Sequence, residues 1–375
     1  MHLALKLAPV IVALVLSACG GGGSEAPAPG APVTLIAGVA KPVSYAPEDK
    51  KPGCVDGAAL GAKMAAKSSW AFARPANGDL LFVDLGYCDS RYRIRVINPA
   101  GNTIKTLAVG ARRQNDPEAL TTFLTPTSIA VAPSGDIYIG DSNVFSMNGV
   151  SVVSRSIPGR GPGIWKLSSD GNISVLAGVR LPMTASVDGV GAAASFQYIE
   201  AMCYGSDGLL YINDYGRLRT INASGTVTTA TNSGGVVVQS LVACGIDGSV
   251  LVSRRFNNSA NDDFYDPIAQ KSIAKVSASG LNVFPLDNFL QTYFGSDNPS
   301  VLVRVRGFGS DPYSDQLIIV NLVDGSFEIV AKVSWPIDLT ATPPVIDTAI
   351  AGVATGDMNF DILTQQSVIR FTRKP

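Results

Sequence analysis

The chain has 375 residues, with 29 lysines and arginines against 30 aspartates and glutamates, so its net charge is close to zero. This balance argues against a nucleic-acid-binding surface, which needs a basic stripe or patch. The 38 glycines and the low share of charged residues, 16%, are typical of a β-rich chain with many turns and do not fit disorder.

Residues 1–18 are predicted to be a lipoprotein signal peptide. Lys6 precedes an apolar run, residues 7–16, that is too short to span a bilayer comfortably. The sequence Leu-Ser-Ala-Cys that ends at Cys19 resembles the bacterial lipobox, whose cysteine takes the lipid. Gly20 after this cysteine favours the outer membrane, by resemblance to bacterial sorting rules. The alternatives are an ordinary signal peptide or a single membrane helix.

The next segment, residues 19–32, comprises the lipidated cysteine and a Gly/Pro-rich tether, GGGGSEAPAPGAP. Residues 33–375 are predicted to form one folded domain. It begins with an alternating strand, VTLIAGV at residues 33–39, that closely matches ISVLAGV at residues 173–179. We expect this domain to contact the membrane through the lipid anchor only.

A hairpin of two alternating strands around a glycine turn recurs along this domain. Its clearest copy is YRIRVINPAGNTIKTLAVG, residues 92–110, and its last copy, SVIRFTRKP at residues 367–375, stops before the turn. A second hairpin precedes each copy, with turns such as ANGD at residues 76–79 and PSGD at residues 133–136. Four antiparallel strands in a repeat of roughly 35–60 residues predict the blades of a propeller.

Counting the repeats predicts an all-β fold, a six-bladed β-propeller of four-stranded antiparallel blades. The sixth repeat lacks its last strand, and residues 33–39 supply one. The N-terminal strand would therefore complete the last blade and leave no open seam or unpaired strand edge.

These repeats resemble the NHL-repeat β-propeller family. The resemblance is strongest in IAVAPSGDIYIGD (residues 129–141), LYINDYGRLRTINASGTVTT (residues 210–229) and GDLLFVD with YRIRVINPAGNTIKTLAVG (residues 78–110). The family's AG…DG…A-x-F link between blades is similar to LAGV…SVDGVGAAASF (residues 176–196) and, more loosely, to IAGV…CVDGAALGAKM (residues 36–64). The resemblance covers essentially residues 33–375 and implies the same propeller fold.

Four cysteines remain besides Cys19. Cys54 lies in the link entering the first blade and Cys88 just after its second strand, connections that leave by the same face, so we predict a disulfide between them. Cys203 and Cys244 lie on the first strands of neighbouring blades. They either pair or remain buried thiols, and their opposite strand parity leaves both interpretations open.

The only histidine is His2, inside the predicted signal peptide. A mature chain without histidine excludes Ser-His-Asp triads and histidine acid–base catalysis. No phosphate-binding loop, nucleophile elbow or zinc-protease motif is present. Carboxylate chemistry and an oxygen-ligated metal stay open, and calcium is the candidate cofactor. An acidic loop with Asp262, Asp263 and Asp266 offers oxygen ligands but has no EF-hand pattern.

Repeated aspartates end the second strands, and arginines follow on the third strands. They are Asp84, Asp141 and Asp214, with Arg93, Arg95, Arg217 and Arg219. One interpretation is a polar ligand site. The other, which we favour, is a set of aspartate–arginine or aspartate–backbone contacts that fix each connection, because structural ion pairs often imitate functional sites.

The start of each first strand, nearest the channel axis, provides the candidate ligand-binding residues. They are Trp70, Thr127, Glu200, Ser240 and Thr292, with Thr348 in the sixth blade or Asp347 if the register shifts by one. Two carboxylates, Glu200 and Asp347, would then stand among hydroxyls above an apolar throat, as in many binding sites. The alternative is a water-filled mouth without a ligand.

The sequence therefore predicts a non-catalytic, lipid-anchored propeller that binds or scaffolds a protein or small-molecule partner at the bacterial cell envelope. The alternative is a calcium-assisted hydrolase or lyase of the six-bladed propeller type.

Overall fold

The computed structural model describes, with side chains, residues 34–39, 54–66, 71–86, 88–112, 120–142, 160–179, 185–230, 244, 250, 361–364 and 366–370. For the other strands named below it describes the backbone. All of these residues belong to one compact unit, Ala31–Pro375. Within the described residues, no helix has the length and apolarity needed to cross a bilayer.

Among the described residues, the regular secondary structure is β-strand, with one short 3-10 helix at Gly191–Ala193, and turns or irregular segments connect these elements. The first strands are β1 (Val33–Gly38), β2 (Gly57–Ala58), β3 (Phe72–Ala73), β4 (Leu80–Gly86), β5 (Arg91–Asn98), β6 (Thr103–Val109), β7 (Pro126–Val131), β8 (Ile137–Asp141), β9 (Val144–Met147), β10 (Val150–Val153), β11 (Gly163–Leu167) and β12 (Ile173–Gly178). The middle strands are β13 (Gly189–Val190), β14 (Ile199–Tyr204), β15 (Leu210–Asp214), β16 (Arg217–Ile221), β17 (Thr226–Thr229), β18 (Val238–Cys244), β19 (Val250–Arg255), β20 (Lys271–Ser277) and β21 (Gly280–Pro285). The last strands are β22 (Gln291–Thr292), β23 (Ser300–Arg306), β24 (Ser314–Asn321), β25 (Phe327–Ser334), β26 (Ile337–Asp338), β27 (Val345–Ile346), β28 (Ala349–Ala354), β29 (Phe360–Thr364) and β30 (Ser367–Phe371).

These strands form antiparallel sheets of four or five strands, as the repeat pattern predicts. In chain order they are β2-β6-β5-β4-β3, β12-β11-β8-β7, β13-β17-β16-β15-β14, β18-β19-β20-β21, β22-β23-β24-β25 and β1-β30-β29-β28. Two short pairs, β10-β9 and β26-β27, stand apart from them. Most paired strands that follow each other in the chain are joined by a short turn, whereas longer connections join β8 to β11 and β19 to β20.

Burial along the first sheet explains its sequence pattern. The second strand, β4, reads LLFVDLG and is buried at every position. The outer strand, β6, alternates between buried or partly buried and exposed positions, because one of its faces meets solvent. Period-two alternation is therefore clearest in the outer strands, where the sequence analysis found it.

Neighbouring sheets contact each other through their first strands. The first strand β7 contacts β3 on one side and β14 on the other, while β14 contacts β18 and β28 contacts β3. Apolar clusters fill the spaces between adjacent sheets. Ile94 and Ile129 belong to one such cluster, and Phe196 with Ile164 belongs to the next.

The N-terminal strand β1 pairs with the last strand of the chain. It runs antiparallel to β30, with Leu35 opposite Ile369 and Gly38 opposite Ser367. Gly38 has a φ of +80°, and a Cβ atom there would collide with the carbonyl oxygen of Gln366. Close backbone approach and a left-handed conformation thus require glycine in this IAGV segment.

Two disulfides link connections and strands of the domain. The expected Cys54–Cys88 bond is present, with the two Cα atoms 6.3 Å apart. Cys203 and Cys244 are also bonded, with a Cα–Cα distance of 5.7 Å, which decides between the two interpretations left open above. These two cysteines lie on β14 and β18, first strands of neighbouring sheets that contact each other.

Candidate functional site

The aspartates that end the second strands are buried and hold the connection that enters their own sheet. Asp214 accepts hydrogen bonds from the backbone N–H groups of Gln197 and Tyr198, at 2.8 and 3.0 Å. Its other oxygen accepts from Nη1 of Arg219 at 2.9 Å, and both side chains are fully buried. The pair is therefore a structural link between strand and connection.

A second aspartate completes this arrangement from the link before the sheet. Arg219 donates through Nη2 to Asp188 at 2.8 Å and to the carbonyl of Val187 at 2.7 Å. Asp188 in turn accepts from the backbone N–H and the hydroxyl of Thr229, both at 2.9 Å. We call Asp188, Asp214, Arg219 and Thr229 the arginine clamp. It explains the DG motif of the link, because that aspartate holds the outer strand.

The first sheet contains the same clamp. Arg95 bonds Asp84 at 3.1 Å and Asp56 at 3.2 Å, and Asp56 accepts from the N–H and hydroxyl of Thr106. Asp84 also accepts from the backbone N–H of Ala65 at 2.7 Å. Burial raises the pKa of Asp84 to about 6, against the opposing effect of Arg95. These contacts support the structural interpretation of the aspartates.

In two other repeats the buried aspartate also pairs with an arginine, but the arginine comes from a different position. Asp141 accepts from the N–H groups of Leu124 and Thr125, both at 2.8 Å, and pairs with Arg160, which comes from outside the third strand. In the last sheet Asp361 is fully buried and pairs with Arg370 at 2.7 Å and with Arg74 of the first sheet at 3.1 Å.

Two arginines of the third strands lie outside the clamps. Arg93 pairs with Asp89 at 2.9 Å and lies 3.5 Å from the sulfur of Cys88, and Arg217 is exposed. Sequence reasoning missed Asp361, Arg160 and Arg370, because no motif signals which arginine will reach a given aspartate.

Glu200 differs from every one of these aspartates. Its Oε2 accepts a hydrogen bond from Nδ2 of Asn213 at 2.7 Å, and no lysine or arginine among the described residues pairs with it. Burial raises the pKa of Glu200 to about 7. Burial and the Glu200 charge also raise the pKa of Tyr198. Among the described residues, no cation therefore compensates the charge of this partly buried carboxylate.

The backbone around Glu200 is irregular in a repeated way. The pairing of β14 with β15 shifts between Ile199 and Ala201, so Glu200 sits in a β-bulge. Thr127 occupies the corresponding bulge of β7. Bulges redirect side chains and occur next to functional sites. Counting from the turn glycines therefore found the equivalent position in both strands.

Thr127 and Glu200 lie on adjacent first strands. The Thr127 hydroxyl donates to the carbonyl of Ile199 at 2.6 Å, and Ser142 donates to the same carbonyl at 2.5 Å. Gly140 permits this approach, since a Cβ atom there would meet Ser128 and Ile199. Thr127 thus joins the two strands.

The remaining predicted site residues cannot be placed against Glu200. Ser240 and Thr292 lie in β18 and β22, where only the backbone is described, and the irregularity in β18 falls between Val238 and Ser240. Trp70, Thr348 and Asp347 lie outside the described residues, as do Cys19 and the acidic loop at residues 262–266. The sequence analysis missed Asn213 and Tyr198, for which the only signal was proximity to Asp214 and Glu200.

The described donors around Glu200 do not fit calcium. Calcium takes about six to eight oxygen ligands. Oδ1 of Asn213 accepts from the N–H of Gly216 at 3.0 Å, so the amide turns its nitrogen towards Glu200. Elsewhere in the described part of the chain, one group has three metal-type ligands, Cys54, Cys88 and Asp89, and its sulfurs form the disulfide.

A separate cavity of about 300 Å³ lies between the first two sheets, near their turns. Its floor is apolar and includes Leu81, Val96 and Ile137. The Asp79 carboxylate at its rim is already bonded to Asn77 and Asn98. Asn77 and Ser168 also line the cavity, and both are bonded within their own turns, to Asp79 and Asp170.

Comparison with known proteins bears on the fold. No protein-family model matches the sequence, and no curated protein matches it. A protein of unknown function from Bacteroides thetaiotaomicron VPI-5482 has a similar structure, with a TM-score of 0.53 and 14% identity over 91% of this chain and 76% of that one. Oligogalacturonate lyase from Vibrio parahaemolyticus has a TM-score of 0.46 and 10% identity, over 92% and 98% of the two chains. The β-propeller domain of the trilobed protease from Pyrococcus furiosus has a TM-score of 0.40 and 10% identity, over 83% and 85%.

Antiparallel sheets of four or five strands, in contact through their first strands, define this chain as a β-propeller protein. At 14% identity, the likeness to the Bacteroides protein concerns the fold alone.

Proposed function

We propose that the chain is a six-bladed, NHL-type propeller, closed by β1, that acts as a non-catalytic binding protein at the bacterial cell envelope. The single observation that carries the binding function is the contrast between Glu200 and the other buried carboxylates. Asp84, Asp141, Asp214 and Asp361 each pair with an arginine. Glu200 has only the Asn213 amide among the described residues.

An uncompensated carboxylate is costly inside a protein, because removal from water disfavours its charge. Glu200 belongs to an inner strand beside a bulge, where a ligand in the channel would reach it. Such a cost is retained at functional sites more often than elsewhere. We therefore assign Glu200 as the centre of the ligand site, with Asn213 and Tyr198 beside it.

The ring and the anchor are further parts of this proposal. Pairing of β1 with β30 supports a ring completed by the N-terminal strand. The lipobox at Cys19 supports an outer-membrane lipoprotein. A calcium-assisted hydrolase or lyase is the weaker candidate, since the mature chain would have no histidine and the donors described around Glu200 do not fit calcium.

Ligand binding is tested with Glu200→Gln. We expect a screen of amines, sugars, amino acids and carboxylic acids against the full-length protein to yield compounds that bind the wild type and lose about tenfold or more in affinity for this variant. Asp170→Asn, in an exposed turn, is the matched carboxylate-to-amide control and should bind as the wild type does. Binding that is equal in the wild type and Glu200→Gln would contradict the assignment.

The raised pKa of Glu200 predicts a pH dependence of stability. Between its ordinary value of 4.5 and about 7 the folded protein holds this proton more tightly than the unfolded chain. The free energy of unfolding should therefore fall as pH rises through this window, by up to about 3 kcal/mol. In urea unfolding from pH 4 to pH 8, the free energy of unfolding of Glu200→Gln should rise by this amount relative to that of the wild type. Parallel pH profiles would show that Glu200 is not buried as described.

Lipidation is tested at Cys19. Cys19→Ser should yield unprocessed or soluble protein, because acylation requires the thiol. Membrane fractionation and mass spectrometry of the N-terminus measure this. Mature Cys19→Ser protein that still fractionates with the outer membrane would overturn the anchor.

A further inference from the structure

The hairpin turn beside Glu200 places a large aromatic residue in an unfavourable backbone conformation. Tyr215 and Gly216 connect β15 to β16 and both have positive φ, +48° and +85°. Turns of this type favour asparagine or glycine, and a positive φ is uncommon for a bulky residue. Tyr215 nevertheless occupies the position and is 65% exposed. The turn thus presents an aromatic ring to solvent at a cost in backbone energy.

One hydrogen-bond network connects this turn to Glu200. The N–H of Tyr215 donates to the carbonyl of Tyr198 at 2.9 Å. The side chain of Asn213 accepts from Gly216 at 3.0 Å and donates to Glu200 at 2.7 Å. The network therefore brings a carboxylate, an amide and two tyrosines to one end of the third sheet.

The negative charge of the Glu200 carboxylate favours a cationic ligand at this end of the sheet. Glu200 is negative when ionised, and no described lysine or arginine pairs with it. The Asn213 amide donates from its nitrogen to the carboxylate, and its oxygen accepts from the N–H of Gly216. Aromatic faces attract organic cations, and their recognition of ammonium groups strengthens where a carboxylate lies nearby in a medium of low dielectric constant.

From this geometry we propose that the site takes a ligand with an organic ammonium group. The ammonium pairs with Glu200, and its methyl or methylene groups pack against Tyr198 and Tyr215. The inference rests on the proposed function, since it takes Glu200 as the ligand site. It adds the ligand's chemical class and a contact role for Tyr215.

The test compares choline with its neutral analogue dimethylbutanol, in which carbon replaces nitrogen, by calorimetric titration of the full-length protein. Choline should bind about tenfold or more tightly than the alcohol, which has the same shape without the charge. Glu200→Gln should lower choline affinity by about tenfold or more, and Asp170→Asn should leave it unchanged.

Tyr215→Asn separates ligand contact from structure. Asparagine suits the turn, so this variant should keep or raise the free energy of unfolding while weakening choline binding. Unchanged choline affinity in Tyr215→Asn would remove this residue from the site.

The outcomes distinguish this inference from the proposed function. Equal affinity for choline and dimethylbutanol, or choline binding that does not depend on Glu200, overturns the ammonium assignment. If choline fails to bind while a neutral compound binds in a Glu200-dependent way, the ammonium inference is wrong and the proposed site stands. If no compound binds in a Glu200-dependent way, both are wrong.

Discussion

Replacing Arg219 by methionine is expected to lower the free energy of unfolding by about 3–5 kcal/mol. The substitution leaves the fully buried Asp214 carboxylate without its cation and removes the bond to Asp188 that holds the outer strand. It also removes the contact of the guanidinium with the Phe196 ring, whose centroid lies 4.9 Å away. Chemical denaturation measures the loss.

Arg217→Met is the matched control, since Arg217 lies on the same strand and is exposed. Its effect should stay within about 0.5 kcal/mol. If Arg219→Met does not fold, Arg219→Lys supplies the measurement, because lysine keeps the charge but cannot bridge both aspartates with a planar fork. Equal stability of the Arg219 and Arg217 variants would show that the clamp does not stabilise the sheet.

Deleting residues 33–39 is the second change with a large expected effect, a loss of about 4 kcal/mol or more. The deletion takes Ile36 and Ala37 out of the core and leaves β30 with an unpaired edge. Deleting residues 20–32 removes a longer segment, the tether, and should nevertheless change the melting temperature little. Equal melting temperatures for the two deletions would refute closure by the N-terminal strand.

A point substitution tests the same closure more finely. Gly38 and Gly61 both have a φ of +80°, but a Cβ atom collides with Gln366 at Gly38 and meets nothing within 4 Å at Gly61. Gly61→Ala should cost only the backbone strain, about 1–2 kcal/mol. Gly38→Ala should cost clearly more. Similar losses for the two variants would contradict the close pairing of β1 with β30.

Much of the fold could be predicted from local pattern. Alternation with period two and glycine turns are properties of a strand and its neighbour, so residues 92–110 alone predicted the β5–β6 hairpin. The Cys54–Cys88 disulfide followed from two connections that leave by one face. Thr127 and Glu200 occupy corresponding bulges, and each lies eight residues before its turn glycine, Gly135 or Gly208, so their equivalence could be predicted, while their role as ligand-binding residues stays a prediction.

Other features were decided only by tertiary structure. The pairing of Cys203 with Cys244 depends on how β14 and β18 pack against each other, which the residue pattern of either strand alone does not fix. The partner of each buried aspartate depends on which arginine the packing brings near. Asp141 pairs with Arg160, which lies outside the third strand, whereas Asp84 and Asp214 pair with arginines of their third strands. The uncompensated charge of Glu200 is a property of its surroundings, because burial and the absence of a described cation arise only when β14 and β15 pack together.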